Sequence, residues 1–416
     1  STMASNSVPL SSYQIRLLAV LALINFVNFA DRQVVVPLLP LLRQQMNVTD
    51  AQLGSLQTWL LVVLAVASVP CGFYADRWSR TQIIAAGVAF WSIATIACGF
   101  AGSFMLLLVA RALIGVGEAA YAPAAQSMIT DSFSYQRRAM AQSIFAAGML
   151  LGGAAGQAFG GLMGEAHGWK YTFIVLGLVC MIPGLIVVRL PEPPRRPRSE
   201  VVPISSLLSV PAYIAMIVAG TCITFASVSL LTWGIDFAVN YKEFSLREAA
   251  LSLAVVALLS LVFGVLTGGY LADRLQRKYP YGRIIVIAAA FLFAAPCVLL
   301  AIQSDDKAVF LAALFIGGFF MSWYHGPVTA VLHDLTPQRA HATAIGVYMF
   351  VTQLLGALGP QLVGKISDAS DLQLGLQVAV GVMVVGSLLM FVVIYFVKRD
   401  GLHHPRLAAF RVEPGD

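Results

Sequence analysis

Charge is scarce in this chain. Only 11% of its 416 residues are Asp, Glu, Lys or Arg, while 59% are hydrophobic. Soluble domains carry about 25% charged residues, so a soluble globular domain is excluded. Cysteine is sparse as well. Cys71, Cys98, Cys180, Cys222 and Cys297 lie within or beside apolar runs and form no CxxC pair. That argues against a disulfide framework and against a zinc site. No HExxH, GxSxG or Walker string occurs, so the chain does not read as an enzyme and calls for no metal or cofactor. Long polar stretches are lacking too, with one exception at 189–203.

What remains is a series of apolar runs of roughly 20 residues, each long enough to cross about 30 Å of hydrocarbon as a helix. The runs are apolar on all faces rather than striped, which suits burial in lipid and among neighbouring helices. The expected fold is an all-α membrane protein with twelve spans, near 14–38, 51–75, 81–101, 104–130, 139–164, 170–190, 208–240, 247–272, 283–303, 308–332, 341–367 and 372–397. No cleavable signal is expected ahead of span 1, and Ser1 and Thr2, ahead of Met3, are set aside.

The net charge of +6 is a topology signal, not a nucleic-acid footprint. With the N-terminus inside, the turns holding Arg77, Arg80, Arg137, Arg138, Arg274, Arg277 and Arg283 fall on one side. Arg43, Lys170, Lys242, Arg247, Lys307 and Lys365 fall on the other. The excess of cations marks the cytoplasmic side, placing both termini there. The expected location is a cell membrane, with short loops suggesting a bacterial inner membrane.

The stretch "RLPEPPRRPRSEVVP" at 189–203 divides the spans six and six. The expected organisation is a six-helix bundle over 1–190, a cytoplasmic linker over 191–207, a second bundle over 208–400 and a tail over 401–416. The halves repeat: "GFYADRWSR" at 72–80 matches "GYLADRLQR" at 269–277, and "YQRRAMAQSI" at 135–144 matches "PQRAHATAI" at 337–345. Two parallel six-helix repeats are a transporter plan.

These strings, with Arg111, Gly115 and Gly117 in the R-x-x-x-G-x-G of span 4, resemble the major facilitator superfamily. "NFVNFADRQVVVPLLP" at 25–40, "DAQLGSLQTWLLV" at 50–62 and "RALIGVGEAAYAPAAQSMITDSF" at 111–133 are similar to the narrower Spinster family of sphingolipid and lysolipid transporters. The resemblance implies the major facilitator fold, two bundles related by a pseudo-two-fold axis, and alternating access. One departure is visible in span 5. "GGAAGQAFGG" places Gln157 where many superfamily exporters carry proline.

Arg111 and Glu118 raise the chemical question. An ionised group in the bilayer must pair or face water, and is functional by default. The two lie about 10 Å apart along one helix face, too far for an easy bridge. Depth arguments bring Asp31 of span 1 to the level of Arg111, so those two are expected to meet. Arg32, turned by about 100°, is expected to point elsewhere, and Glu118 to lack a basic neighbour. A carboxylate without a partner in a dry site gives up its charge more readily. Glu118 is therefore the expected proton carrier, with Asp31 coupled to it through Arg111. The alternative is a static network that fixes the first bundle.

The "GxxADR" strings suggest latches. Asp76 and Arg77, with Gly72, are expected to reach Asp131. Asp273 and Arg274, with Gly269, are expected to reach Asp334. By resemblance, such clusters latch the halves together on the cytoplasmic side, favour the outward-open state and must break for inward opening. The alternative is a static cap on each loop.

Candidate substrate contacts in the first half are Asn25, Asn28, Arg32, Gln57, Arg111 and Tyr121. In the second they are Trp233, Tyr324, His325 and Tyr348, with no cation within a span. A cavity charged on one wall and weakly polar on the other suits an amphiphile. The expected function is a secondary active, proton-coupled transporter of a lipid-like substrate, working as a monomer in the bilayer without nucleic acid. Transport of soluble drugs or organic anions, and a receptor or scaffold without transport, stay open.

Overall fold

In a computed structural model of the chain, residues 10–195, 203–402, 404, 405 and 407 are described. Among them there is no strand. Twelve helical spans run Ser12–Met46, Asp50–Ala75, Arg80–Gly99, Phe104–Ser132, Met140–His167, Trp169–Val187, Pro211–Tyr241, Leu246–Gln276, Gly282–Gln303, Lys307–Leu335, Gln338–Ala369 and Leu372–Asp400. They are numbered 1 to 12 below.

Local chemistry fixes many of the ends. Span 1 starts on a capping box of Ser11 and Gln14, span 2 on Thr49 and Gln52, and span 8 on Ser245 and Glu248. Each box satisfies two backbone donors that a helix start leaves open. Span 1 stops at Asn47, which takes the left-handed conformation at φ 50, one of the few residues that tolerate it. It overruns the expected 14–38, because Pro37 and Pro40 are absorbed within the helix. Span 7 begins later than expected. A separate short helix, Ile204–Leu208, precedes it, and Pro211 opens the span where its missing N–H costs nothing. Two spans are interrupted. Span 10 tightens to a 3-10 turn at Ser322–Tyr324, and span 11 breaks between Gly356 and Gly359.

Close backbone approach joins spans 1 and 5. A Cβ on Gly152 would lie 2.1 Å from the Phe26 carbonyl oxygen. Only a glycine allows this spacing, as is usual between membrane helices.

With an even number of spans, the start of span 1 and the end of span 12 lie at one end of the bundle, with the turns that hold Arg77, Arg80, Arg274 and Arg283. This is the basic end. The two sets of six spans meet mainly at the other end. There, a Cβ on Gly54 of span 2 would strike the Pro360 oxygen at 2.2 Å, and one on Gly364 of span 11 would strike the Asp50 oxygen at 2.3 Å. Between spans 5 and 8, a Cβ on Gly161 would lie 2.1 Å from that of Ala250. At the basic end, Gly72 of span 2 and Gly346 of span 11 face open space. The same two spans are thus packed at one end and parted at the other.

Candidate functional site

Span 1 carries the centre of the site on two adjacent residues that face different neighbours. Arg32 turns to span 4, where its Nε donates to Glu118 Oε2 at 2.6 Å. Gln33 turns to span 5, where its Oε1 accepts from Gln157 Nε2 at 3.2 Å. The Arg32 side chain keeps 16% of its surface exposed and Glu118 keeps none. This corrects the sequence expectation on both residues: Glu118 has a basic neighbour, and it is Arg32. A helix that long, starting at Ser12, does not fix which way Arg32 turns. The turn is set by packing against spans 4 and 5.

Arg111 is fully buried and does not meet the Asp31 carboxylate by a hydrogen bond. Its Nη1 donates to the Asp31 backbone oxygen and its Nη2 to Gln57 Oε1, each at 3.3 Å. The Asp31 carboxylate accepts from the Thr95 hydroxyl at 2.5 Å. Thr95 of span 3 carried no signal in the sequence, since a lone threonine in an apolar run is commonplace. Asp31 still lies within electrostatic reach of Glu118, Arg111 and Arg32. Two guanidiniums and two carboxylates therefore share one dry region, and their formal charges cancel. Several polar atoms there lack a protein partner: both amide atoms of Asn28, Asp31 Oδ1, Arg111 Nε and Glu118 Oε1. Buried polar atoms rarely stay unpaired, so the region is built to take hydrogen-bonding guests such as water.

The other expected contacts divide. Asn25 donates to the Phe145 oxygen, Tyr121 to the Leu21 oxygen and Trp233 to the Pro360 oxygen. All three are buried and spend their polar atoms on backbone. Tyr348 is buried too, and its hydroxyl pairs with that of Tyr324. Tyr324 and His325 line a cavity of about 470 Å³, inside the usual range for small-molecule sites. Its walls come from spans 7 to 12, with Phe237, Leu253, Phe291 and Val298 among them. Gln157 is the one first-half residue among the described lining residues, and no Asp, Glu, Lys or Arg lines it.

The latches also need correction. Arg77 lies over the Phe73 ring, its Cζ 3.6 Å from the centroid, and Arg274 donates to the Tyr270 hydroxyl. The arginines that hold the aspartates begin the next spans. Arg80, almost fully buried, reaches Asp131 at 2.5 Å, Glu192 at 3.0 Å, and the Ser127 hydroxyl and Pro193 oxygen. Arg283 reaches Asp334 at 2.7 Å and Asp273 at 2.9 Å. In the state shown each cluster stays on its own side of the molecule, Arg80 with the first half and the start of the linker and Arg283 with the second, so neither joins the halves here. Asp76 contributes its backbone oxygen, which accepts from Arg195 of the linker. Gly72 and Gly269 face open space.

Among the described residues, an ion pair between halves sits at the opposite end. Arg43 of span 1 holds Asp236 of span 7 and Asp50 of span 2, each at 2.7 Å. Asp368 of span 11 accepts from the backbone N–H groups of Asp50 and Ala51, and Ser367 donates to Asp50. The state shown is closed at this end.

A family model described as Major Facilitator Superfamily matches residues 21–360 and 269–412. Similar proteins include "Protein spinster homolog 1" of Bos taurus, 28% identical over 389 residues, covering 86% of this chain and 74% of that one. The "MFS-type efflux pump" of Mycolicibacterium smegmatis is 26% identical over 367 residues, covering 86% and 85%. A solved structure of a bacterial homolog to the human lysosomal transporter Spinster, inward-facing and occupied, superposes with a TM-score of 0.84. It is 22% identical and covers 98% of this chain and 100% of its own.

Proposed function

Since the chain belongs to the Major Facilitator Superfamily, as a transporter related to the Spinster proteins, we propose that it moves a single-chain, lipid-like amphiphile in exchange of conformations driven by proton binding. The observations that carry this reading are the pairing of the fully buried Glu118 with the partly exposed Arg32 at 2.6 Å and a separate cavity whose described lining holds no Asp, Glu, Lys or Arg. The headgroup meets Arg32 and the chain enters the cavity of the second half. The cavity of about 470 Å³ is within the range of sites that hold small apolar ligands.

Charge balance gives the coupling. Arg32 and Arg111 offset Asp31 and Glu118 when both acids are ionised. A proton on Glu118 frees Arg32 and leaves one positive charge in excess, which the phosphate group of a headgroup offsets locally, with a choline held away from the pair. Each then strengthens the binding of the other, as linkage requires. Glu118 is the proton carrier and Asp31, held by Thr95 and near Arg111, is coupled to it. The basic end is placed at the cytoplasm by its excess of cations, so the closed Arg43 end faces outward. The chain acts as a monomer in a bacterial inner membrane, with the bundles bounded at 1–190 and 208–400.

The test is uptake of lysophosphatidylcholine into proteoliposomes under an imposed pH gradient. The gradient should drive uptake by the wild type and not by Glu118→Gln. Gradient-driven uptake by that variant at the wild-type rate would defeat the assignment. A second reading, export of uncharged drugs, is favoured by the likeness to the mycobacterial efflux pump and by the neutral cavity. Transport of a neutral dye with none of the lysolipid would select it.

A further inference from the structure

Gln157 sits where the two parts of the site meet. It lines the cavity of the second half although it belongs to span 5 of the first. Its amide donates to Gln33, and Gln33 directly follows Arg32, which holds Glu118. Gln157 is thus the lining residue tied by a hydrogen bond to the stretch of span 1 that carries the charged pair. One turn further, Gly161 lies against Ala250 and Leu246 of span 8, so the closed contact of spans 5 and 8 sets where the amide stands.

Thr224, Ser227, His325, Thr329 and Gln353 also line the cavity, all from the second half; three further polar groups are spent on backbone. Ser260, Ser322 and Thr352 donate to the Ala257, Gly318 and Tyr348 oxygens of their own helices. The Gln157 side chain has two donors and an acceptor, and one bond to Gln33 uses only one of them. It is neutral, so it suits a neutral partner. We propose that Gln157 is a specificity-determining residue that recognises the uncharged polar linkage, an ester or a hydroxyl, between headgroup and chain of the amphiphile. This rests on the reading above of Arg32 as the headgroup site and the cavity as the chain site. Gln33 is its positioning residue. It holds the amide and does not touch the ligand.

The experiment compares two ligands with the same headgroup and chain length: lysophosphatidylcholine, which has the glycerol ester and hydroxyl, and an alkylphosphocholine, which has neither. Affinities are measured on purified full-length protein by thermal shift and by equilibrium binding. The wild type should prefer the lysolipid about tenfold, the worth of a buried hydrogen bond or slightly more. Gln157→Met, close in size, should collapse that preference toward one, by weakening the lysolipid most. Gln33→Leu should reduce it part way. A near-normal melting temperature and monodisperse elution for Gln157→Met separate this from misfolding, and Gln157→Leu is a second variant at the same position. A preference that survives both Gln157 variants, or a wild type that binds both ligands equally, would overturn the inference while leaving the amphiphile reading intact. Failure of both ligands to bind the wild type would overturn the two together.

Discussion

Arg32 Nε stands 2.6 Å from Glu118 Oε2, joining a side chain that is partly exposed to one that is not exposed at all. A bond across that gradient lets an outside event reach a buried acid. It also has a stability signature. Truncating one partner of a buried ion pair costs about 3–5 kcal/mol, because the other is stranded. Arg32→Met should therefore lower the melting temperature clearly. Arg32→Met with Glu118→Gln should recover most of the loss. Thermal unfolding in one detergent, with lipid-free samples, measures both. A double variant no more stable than the single would show that Glu118 is held mainly by other groups.

The Arg43 cluster should bias the conformational equilibrium. Removing its guanidinium leaves Asp50 and Asp236 facing each other without a cation, which opens that end. Arg43→Ala is expected to slow maleimide labelling of a cysteine placed at Gly72, since opening one end closes the other. The label is read in a chain whose five native cysteines are replaced. Unchanged labelling would show that the ion pairs do not hold the closed state.

Gly54 and Gly72 lie on one helix and should respond oppositely. A side chain on Gly54 would meet the Pro360 backbone at 2.2 Å, while one on Gly72 meets nothing within 4 Å. Gly54→Leu should therefore drive the population away from the closed Arg43 end. Gly72→Leu should be tolerated in this state and impede closure of the basic end. Distance distributions between spin labels on spans 2 and 11 would separate the two shifts.

Glu192 gives a pH dependence outside the spans. Burial pushes its carboxyl up, but hydrogen bonds from the Ser79 hydroxyl, the Arg80 backbone and side chain and Arg195 outweigh that. The group titrates below its ordinary 4.5. A lowered folded value means a contribution that is full above the unfolded value and lost as pH falls through the folded one. The melting-temperature difference between wild type and Glu192→Gln should thus be full near neutrality and shrink as pH falls below the ordinary carboxylate range through the lowered folded value. A difference that persists there would point to shape rather than charge.

Much of this architecture can be read from the residues. The apolar runs and the paired strings at 72–80 and 269–277 already imply twelve spans and a repeat. Arg111, Glu118 and Asp31 stand out because ionisable groups are rare in such runs, and all three are buried together. Their partners were not legible. Depth along a helix follows from counting residues, but the direction a side chain turns follows from the neighbour it packs on. Hence the hydrogen-bonded ion pair is Arg32–Glu118, while Arg111 takes the Asp31 backbone oxygen instead of its carboxylate. The bracing arginines were hidden for another reason. Aligning the repeats pairs Arg80 with Arg277, yet the longer loop before span 9 moves the working residue to Arg283. Gln157 was visible as a departure from a motif, but its partner Gln33 lies 124 residues away.

The walls of the cavity come almost wholly from one lobe, and this has a kinetic consequence. A guest lodged there is a passenger of that lobe and travels with it as the molecule rocks. What changes during the stroke is the cover supplied by the first lobe, where the Gln157 amide stands. Residence time is then governed by a few contacts along one edge, while the bulk of the apolar grip is the same at departure and arrival. Guests with different chains could share one turnover rate if their linkages are alike, and guests with equal chains could differ widely if they are not.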